Sequence, residues 1–175
     1  MQNTIFDQFI GYFSQLSEKE QFHLQKIFQE KTGGKLSPYN NPTPVAVALL
    51  PVKKNGELFL LGVRRGIEPF IGGLSLPGGF QDFMENCDEA VVREVFEETG
   101  LQTQPEDYRV YGTPLLAHNN NQLIFFEHTK TFDDSIMNQL VLNSEVLAFE
   151  LIHQNSDICF PLHKLKINQF FSQNN

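Results

Sequence analysis

Three glutamates lie close together in the segment REVFEETG, and their spacing is typical of a set of metal ligands. Glu94, Glu97 and Glu98 are related by i, i+3 and i+4, so a helix places their carboxylates on one face. Gly100 is typical of a residue that ends a helix, which puts Glu97 and Glu98 in the last turn, where the helix dipole disfavours negative charge. One arginine, Arg93, is too little to balance the cluster. We therefore expect a bound divalent cation, because hard cations such as Mg²⁺ prefer oxygen ligands.

The pattern predicts that these glutamates belong to an amphipathic helix over 87–99. Asn86 is the expected N-cap, with Glu89 at the capping-box position. At 100° per residue, the acidic side carries Ala90 and the three glutamates, and Arg93 precedes Glu97 by four residues and can pair with it. The opposite side is formed by Val91, Val92, Val95, Phe96 and Thr99. We expect that opposite side to pack on a sheet and the carboxylates to face a cleft.

A glycine-rich segment, LPGGFQDFME, precedes the helix. Gly78 and Gly79 allow another group to approach the backbone closely, so a glycine carbonyl can reach the same cation. A charge-rich helix face is more often a solvated surface than a binding site. Three features favour a site here: the carboxylates are clustered, they oppose the helix dipole, and a glycine loop leads into the helix.

The spacing of these residues along the sequence matches the signature of a known protein family. The matching positions are Gly79, Glu85, Arg93, Glu94, Val95, Glu97, Glu98, Gly100 and Leu101. Segment 79–101 therefore resembles an intact Nudix box, and the chain from about 45 to 170 is similar to the domain of the Nudix hydrolases. The resemblance implies an α/β (α+β) fold, a Nudix-type α/β/α sandwich with a mixed sheet. We expect an N-terminal helical extension over 1–36, followed by a Nudix hydrolase domain over 37–175.

The resemblance also implies an activity and a set of residue roles. The activity is metal-dependent hydrolysis of a pyrophosphate bond in a nucleoside diphosphate linked to another moiety, with Mg²⁺ or Mn²⁺ as the cofactor. By position in the box, the metal ligands are Gly79, through its carbonyl, and Glu94, Glu97 and Glu98. Glu85 is an accessory ligand or a support for the helix. Arg93 orients the glutamates and, with Glu94 and Glu97, belongs to the catalytic set.

Residues outside the box complete the expected site. Arg64 and Arg65 end a predicted strand and are candidates to bind substrate phosphate, as in family members with a similar VRR segment. Glu145 begins another strand, at a place where relatives often have an additional acidic ligand or the general base. Glu127 is a rival for the role of base.

The substrate and the function class stay open at this point. ADP-ribose, a nucleotide sugar and a damaged nucleoside triphosphate are all substrates compatible with the box. A non-catalytic Nudix module that senses a nucleotide metabolite is an alternative, although such modules often lose a glutamate. Isopentenyl diphosphate isomerase has the same fold and uses an active-site cysteine, but neither Cys87 nor Cys159 is obviously placed for that role.

The remaining sequence predicts the elements that position this site. Apolar spacing predicts a first helix, and Ser17 with Glu20 forms a capping box for a second helix that ends at Gly33–Gly34. Asn55–Gly56 is a hairpin signal between two strands. The predicted ranges are helices 4–16 and 161–171, a linker 37–44, strands 45–52, 57–65, 108–117, 122–130 and 145–152, and a mobile loop 131–143.

Composition limits the partners. The 175 residues, of 20.0 kDa, are enough for one domain with a full core, and the net charge of −8 argues against a nucleic-acid-binding or anionic membrane surface. Two cysteines suggest a reducing compartment. The N-terminus lacks the basic region of a secretory signal, and the longest apolar run, 45–52, is too short to span a bilayer. We expect a soluble, cytoplasmic protein that binds a small nucleotide substrate and forms a homodimer if the N-terminal helices make a dimer contact.

Overall fold

The computed structural model describes residues 11–32 and 41–174, and the chain divides into two compact units, Met1–Asn41 and Pro42–Asn175. In the first unit, helix α1 (Glu18–Thr32) begins as predicted, because the Glu20 carboxylate accepts hydrogen bonds from N and Oγ of Ser17 at 2.9 and 2.6 Å. The first predicted helix lies mostly outside the described residues, which include its helical turn 11–13. The predicted end of α1 also lies outside them. The predicted domain division after residue 36 stays a prediction.

In the described residues of the second unit, five strands precede the first helix, five more follow it, and a second helix comes last. Its elements are β1 (Thr43–Leu49), β2 (Pro51–Lys54), β3 (Glu57–Arg65), β4 (Leu74–Ser75), β5 (Gly78–Phe80), α2 (Cys87–Thr99), β6 (Tyr108–Val110), β7 (Leu115–Leu116), β8 (Asn121–His128), β9 (Phe132–Asp133), β10 (Val146–Ile152) and α3 (Pro161–Asn174). Two 3₁₀ segments, Pro105–Asp107 and Asp134–Asn138, lie between them. Within the described part of the chain, no helix is long and apolar enough to span a membrane.

The strands form two mixed sheets. One sheet has the order β5–β1–β8–β6, with β7 also paired to β8, and the other has the order β10–β3–β2–β9, with β4 paired to β3. The pairs β1–β8 and β2–β9 are parallel and the others are antiparallel. The β2–β3 hairpin turns at Asn55 and Gly56, which both have positive φ, as the sequence predicted.

The core lies on both sides of β1, which explains why this strand is apolar from Pro44 to Leu49. Val47 and Leu49 pack with side chains of α3, and Ala46 and Ala48 pack with side chains of α2. A strand covered on both faces needs apolar residues at every position. The small alanines leave room for α2 to approach. The layers are thus helix, sheets and helix, and the predicted α/β/α sandwich is confirmed.

Three predicted ranges are wrong, each for a tertiary reason. The strand 45–52 is two strands, because the chain leaves one sheet at Leu49 and enters the other at Pro51. The strand 108–117 is also two strands, separated by a segment in which Gly112 has φ of 66°. The segment 131–143 is not an irregular loop, since it contains β9 and a 3₁₀ segment.

The closing helix α3 extends three residues beyond its predicted end. Phe170 is buried, as its spacing indicated, but Leu165 is 45% exposed. Its inward positions include His163 and Lys166 instead. His163 Nδ1 accepts a hydrogen bond from Leu76 N at 3.3 Å, and burial lowers the pKa of His163 to about 3, so the ring is neutral.

Candidate active site

Helix α2 carries the predicted acidic cluster and has the predicted bounds. The Glu89 carboxylate accepts a hydrogen bond from Asn86 N at 2.8 Å, which closes the N-terminal end. Gly100 ends the helix in the left-handed conformation, and its N–H donates to Phe96 O at 2.8 Å. The predicted division of the helix into two sides is wrong at three positions: Ala90 and Glu98 are buried, and Phe96 is half exposed.

Arg93 is the centre of an ion-pair network on this helix. Its guanidinium contacts Glu85 at 2.8 Å, Glu94 at 2.7 Å and Glu97 at 3.0 Å, and also donates to Phe80 O at 2.8 Å. The hydrogen bonds to Glu85 are the largest cause of an upward shift in the pKa of Arg93, against an opposing effect of burial. One arginine therefore fixes three carboxylates, and Glu85 bridges from the preceding loop to the helix.

Glu98 is the most buried carboxylate of the cluster, at 7% exposure. Burial raises its pKa to about 8, although its hydrogen bond from Gly78 N, at 2.9 Å, acts in the opposite direction. The negative charges of Glu94 and Glu145 raise the pKa further, and the positive charge of Arg65 lowers it. Glu98 is thus an acid with too little compensation from the protein itself, which is the environment expected of a functional carboxylate.

Gly79 lies directly against Glu94. β5 pairs with β1 so that Gly79 is opposite Ala46, and a Cβ atom built on Gly79 would lie 2.5 Å from the Glu94 carboxylate. No side chain fits at this position without displacing Glu94. Burial raises the pKa of Glu94, and Arg93 opposes the shift. The structure therefore brings together the glycine of the motif and the first of its three helix glutamates.

The donor chemistry of this region fits a hard divalent cation. The partly buried Glu94 lies beside Gly79 and the buried Glu98 beside Gly78, and the negative charge of Glu94 raises the pKa of Glu98, a repulsion that a cation relieves. Among residues 11–32 and 41–174, however, no three acidic, histidine or cysteine side chains are already grouped around one metal position. The reason is visible in the contacts: Arg93 holds Glu94 and Glu97, whereas Gly78 holds Glu98.

Glu145 lies just before β10, close enough for its charge to raise the pKa of both Glu94 and Glu98. Its backbone is held on both sides. Its N–H donates to Asn143 Oδ1 at 2.8 Å, and its carbonyl accepts from Gly66 N at 2.6 Å. The structure thus places Glu145 in the electrostatic neighbourhood of the acidic helix.

Glu127 is committed to a different contact. Its carboxylate accepts hydrogen bonds from Nε and Nη2 of Arg109 at 3.0 and 2.8 Å. The side chain is 10% exposed and is already paired with a cation. These contacts make Glu127 a weaker choice than Glu145 for a base that must accept a proton.

The two arginines at the end of β3 have different surroundings. Arg64 binds both oxygens of Glu150 on β10, at 2.6 and 3.0 Å, and these hydrogen bonds raise its pKa. Its charge is therefore balanced within the sheet.

Arg65 is directed toward the loop that follows β3. It donates to Pro69 O at 2.8 Å, and its guanidinium carbon lies 5.1 Å from the centre of the Phe160 ring. Its charge also lowers the pKa of Glu98. Of the two arginines, Arg65 is the one that acts electrostatically on the acidic cluster.

A separate cleft of about 440 Å³ lies beyond the C-terminal end of α2. It is lined by residues of 100–103 and 132–139, and it contains none of the predicted glutamates. It therefore provides no support for the expectation that the glutamates face a cleft.

The sequence analysis named Gly78 only as a point of close approach, and it did not name Asn143. Gly78 holds Glu98 through its backbone N–H, a contact across 20 residues that no local pattern shows. Asn143 contacts both α2 and Glu145. An asparagine that precedes a strand is typical of a side chain that accepts a backbone N–H two residues on, so the second contact was detectable as an Asx turn.

The sequence over 42–168 matches the family model of the NUDIX domain, so the chain belongs to the Nudix family. The chain is similar to an ADP-ribose pyrophosphatase of Methanocaldococcus jannaschii, with 40% identity over 91 residues, which is 51% of this chain and 52% of the relative. It is also similar to the NAD-capped RNA hydrolase NudC of Haemophilus influenzae, with 26% identity over 66% of this chain and 49% of that protein. The chain thus spans about half the length of the curated relatives it matches.

Solved structures show the same fold. The NUDIX domain of Shewanella oneidensis NrtR, in a complex with ADP ribose, superposes with a TM-score of 0.63 at 16% identity, covering 91% of this chain and all of that one. A NUDIX hydrolase from Nitrosomonas europaea has a TM-score of 0.63 at 20% identity, covering 81% of this chain and 77% of that one. At these identities the similarity establishes the fold.

Proposed function

We propose that the chain is a metal-dependent pyrophosphohydrolase that cleaves a nucleoside diphosphate linked to another moiety. The observation that carries this proposal is a pair of carboxylates, the partly buried Glu94 against Gly79 and the buried Glu98 against Gly78, where the Nudix box begins. Buried acids without sufficient compensation destabilise a fold, so their retention is best explained by the binding of a cation and a phosphate group.

The residues that would hold Mg²⁺ or Mn²⁺ are Gly79, through its carbonyl, and Glu94, Glu97 and Glu98. When bound, the cation supplies positive charge to the pyrophosphate and activates water for attack at phosphorus. Glu85 acts through Arg93, whose Nη1 bridges the carboxylates of Glu94 and Glu97 and fixes their positions. Because Gly79 has no side chain, the carboxylate of Glu94 can lie against the backbone at this position.

Two further residues take part in this proposal. We assign the role of general base, which accepts the proton of the attacking water, to Glu145. Its charge raises the pKa of Glu94 and Glu98, whereas Glu127 is already paired with Arg109. Arg65 binds a substrate phosphate. Arg64 contributes less to phosphate binding, because its charge is already matched by Glu150.

ADP-ribose is the substrate that we favour. Two of the similar proteins carry the name of this compound, one as a pyrophosphatase and one as a complex. Nucleotide sugars and nucleoside triphosphates remain alternatives within the same chemistry. A non-catalytic module that binds ADP-ribose is the alternative in another class, and the complete set of box glutamates favours an enzyme over it.

The isomerase alternative finds no support in the cysteines. The Cys87 thiol donates to Gln81 Oε1 at 3.1 Å, and burial raises its pKa. Burial also raises the pKa of the Cys159 thiol. A reactive thiolate needs the opposite shift.

We also propose a cytoplasmic location and small-molecule partners, and we leave dimer formation as a hypothesis about the N-terminal helices.

A substrate panel tests the proposal. Purified protein is incubated with ADP-ribose, NADH, nucleotide sugars, dinucleoside polyphosphates and dNTPs, with Mg²⁺ or Mn²⁺, and products are separated by chromatography. We expect AMP and ribose 5-phosphate from ADP-ribose. Tight binding of ADP-ribose without product would favour the non-catalytic module, and pyrophosphate release from a dNTP would favour the nucleoside triphosphate alternative.

A further inference from the structure

The segment 139–145 runs across the C-terminal end of α2 and completes its hydrogen bonds. The last four carbonyls of a helix have no partners within the helix. Here Phe96 O accepts from Gly100 N, and Thr99 O accepts from Val141 N at 3.0 Å. Glu97 O accepts from Asn143 Nδ2 at 2.7 Å. A side chain from outside the Nudix box thus binds the backbone of a proposed metal ligand.

The oxygen of the same side-chain amide binds the backbone at Glu145 and Val146. Asn143 Oδ1 accepts hydrogen bonds from Glu145 N at 2.8 Å and from Val146 N at 3.1 Å. Val146 is 1% exposed and begins β10, where it pairs with Arg65 of β3. An asparagine can do this because one side chain offers both donors and an acceptor. Asn143 is therefore a direct link between the acidic helix and the strand that Glu145 precedes.

We propose that Asn143 is a positioning residue, which sets the place of Glu145 relative to the glutamates of α2. This inference rests on the proposed function, in which Glu145 is the base. Glu145 is exposed, so core packing of its own side chain does not fix its position. Its position depends on its backbone, which Asn143 holds at the N–H and Gly66 at the carbonyl. A small displacement of a catalytic group lowers turnover without weakening substrate binding to the same extent.

The test is a double-mutant cycle in the full chain. Asn143→Ala should lower kcat for ADP-ribose by about tenfold and change KM by less than about threefold. Glu145→Gln alone should lower kcat more strongly. In the Glu145→Gln background, Asn143→Ala should lower kcat by less than about twofold, because the group that Asn143 positions is no longer functional. A purely structural role would give the same loss in both backgrounds.

Two further variants separate the functions of the amide. Asn143→Asp keeps the acceptor for the N–H groups of Glu145 and Val146 but loses the donor to Glu97 O, so kcat should still fall by about fivefold or more. Asn119→Ala is the matched control: its Oδ1 also accepts a backbone N–H two residues on, from Asn121, in a turn distant in sequence from the box. It should leave kcat unchanged.

Amide hydrogen exchange of the protein without substrate supplies a readout independent of activity. The Glu145 and Val146 amides should exchange faster in Asn143→Ala than in the wild type, and Asn143→Asp should retain slow exchange there. If the wild type hydrolyses no compound of the panel, the proposed function is wrong and the positioning role is wrong with it. If the wild type is active, three results overturn the positioning role alone: full additivity in the cycle, wild-type kcat in Asn143→Asp, or unchanged exchange in Asn143→Ala.

Discussion

Replacing Glu98 by glutamine should stabilise the metal-free protein at alkaline pH. Glu98 is buried, and its pKa is raised to about 8 from an ordinary value of 4.5. The folded protein therefore keeps a proton that the unfolded chain has released between these two values. The free energy of unfolding falls as pH rises from about 4.5 to about 8, and Glu98 contributes no further change above that range. Glutamine cannot ionise, and its Oε1 can still accept the Gly78 N–H.

The size of the effect follows from the shift. At about 1.4 kcal/mol for each pKa unit, the raised pKa sets an upper bound of about 5 kcal/mol on the stability that ionisation of Glu98 removes. Local relaxation and entry of water reduce such penalties, so we expect Glu98→Gln to exceed the wild type by about 2–3 kcal/mol at pH 8.5. At pH 5 the two proteins should agree within about 1 kcal/mol, since Glu98 is then mostly protonated in the folded state.

Urea denaturation, followed by circular dichroism in EDTA, measures this difference. The matched control is Glu97→Gln, a neighbouring glutamate whose side chain is 56% exposed, which should change stability by less than about 1 kcal/mol at both pH values. A stability difference between Glu98→Gln and the wild type that is the same at pH 5 and pH 8.5 would refute the reasoning, because it would mean that Glu98 does not titrate between them.

Four further outcomes are expected. Glu97→Gln should lower hydrolysis at least about 10²-fold, roughly 2.7 kcal/mol of transition-state stabilisation, with the fold retained; near-normal turnover would exclude Glu97 as a catalytic ligand. Arg93→Gln should lower both activity and stability, the latter by about 2 kcal/mol, because it leaves Glu94 without its cation; an unchanged urea midpoint would contradict this. Gly79→Ala should lower turnover about tenfold or more by displacing Glu94. Full activity would show that the position of Glu94 against Gly79 is not needed for catalysis. Mg²⁺ at about 100 times its Kd should raise Tm of the wild type by about 5 °C, and a constant Tm would argue against a site in the absence of substrate.

Local patterns predicted the acidic helix and its ends correctly. The N-cap at Asn86, the stop at Gly100 and the spacing of the glutamates are all properties of consecutive residues, so a single sequence contains them. The same patterns failed for the burial of individual side chains. Phe96 belongs to the apolar side by angle but is half exposed, and Glu98 belongs to the acidic side but is buried. The Gly78 N–H, which lies 20 residues earlier in the chain, provides the hydrogen bond that Glu98 receives there.

Strand boundaries were less predictable, because they depend on which sheet the chain joins. The apolar run 45–52 has no break in its composition, yet it contributes to both sheets and changes between them at Leu50. Leu50 lies between the two strands but is fully buried, so it is as apolar as the strand residues around it and does not mark the boundary. The contact of Asn143 with α2 was unpredictable for a similar reason, since it joins residues 46 positions apart.

The central claim is that the carboxylates of the Nudix box hold a divalent cation for pyrophosphate hydrolysis. The most direct test is the rate of AMP release from ADP-ribose by EDTA-treated protein as Mg²⁺ or Mn²⁺ is added, compared between the wild type and Glu98→Gln. We predict no release without metal, saturable release by the wild type, and a loss of about 10²-fold or more in the variant. Equal rates with and without metal, or full activity in Glu98→Gln, would contradict the claim.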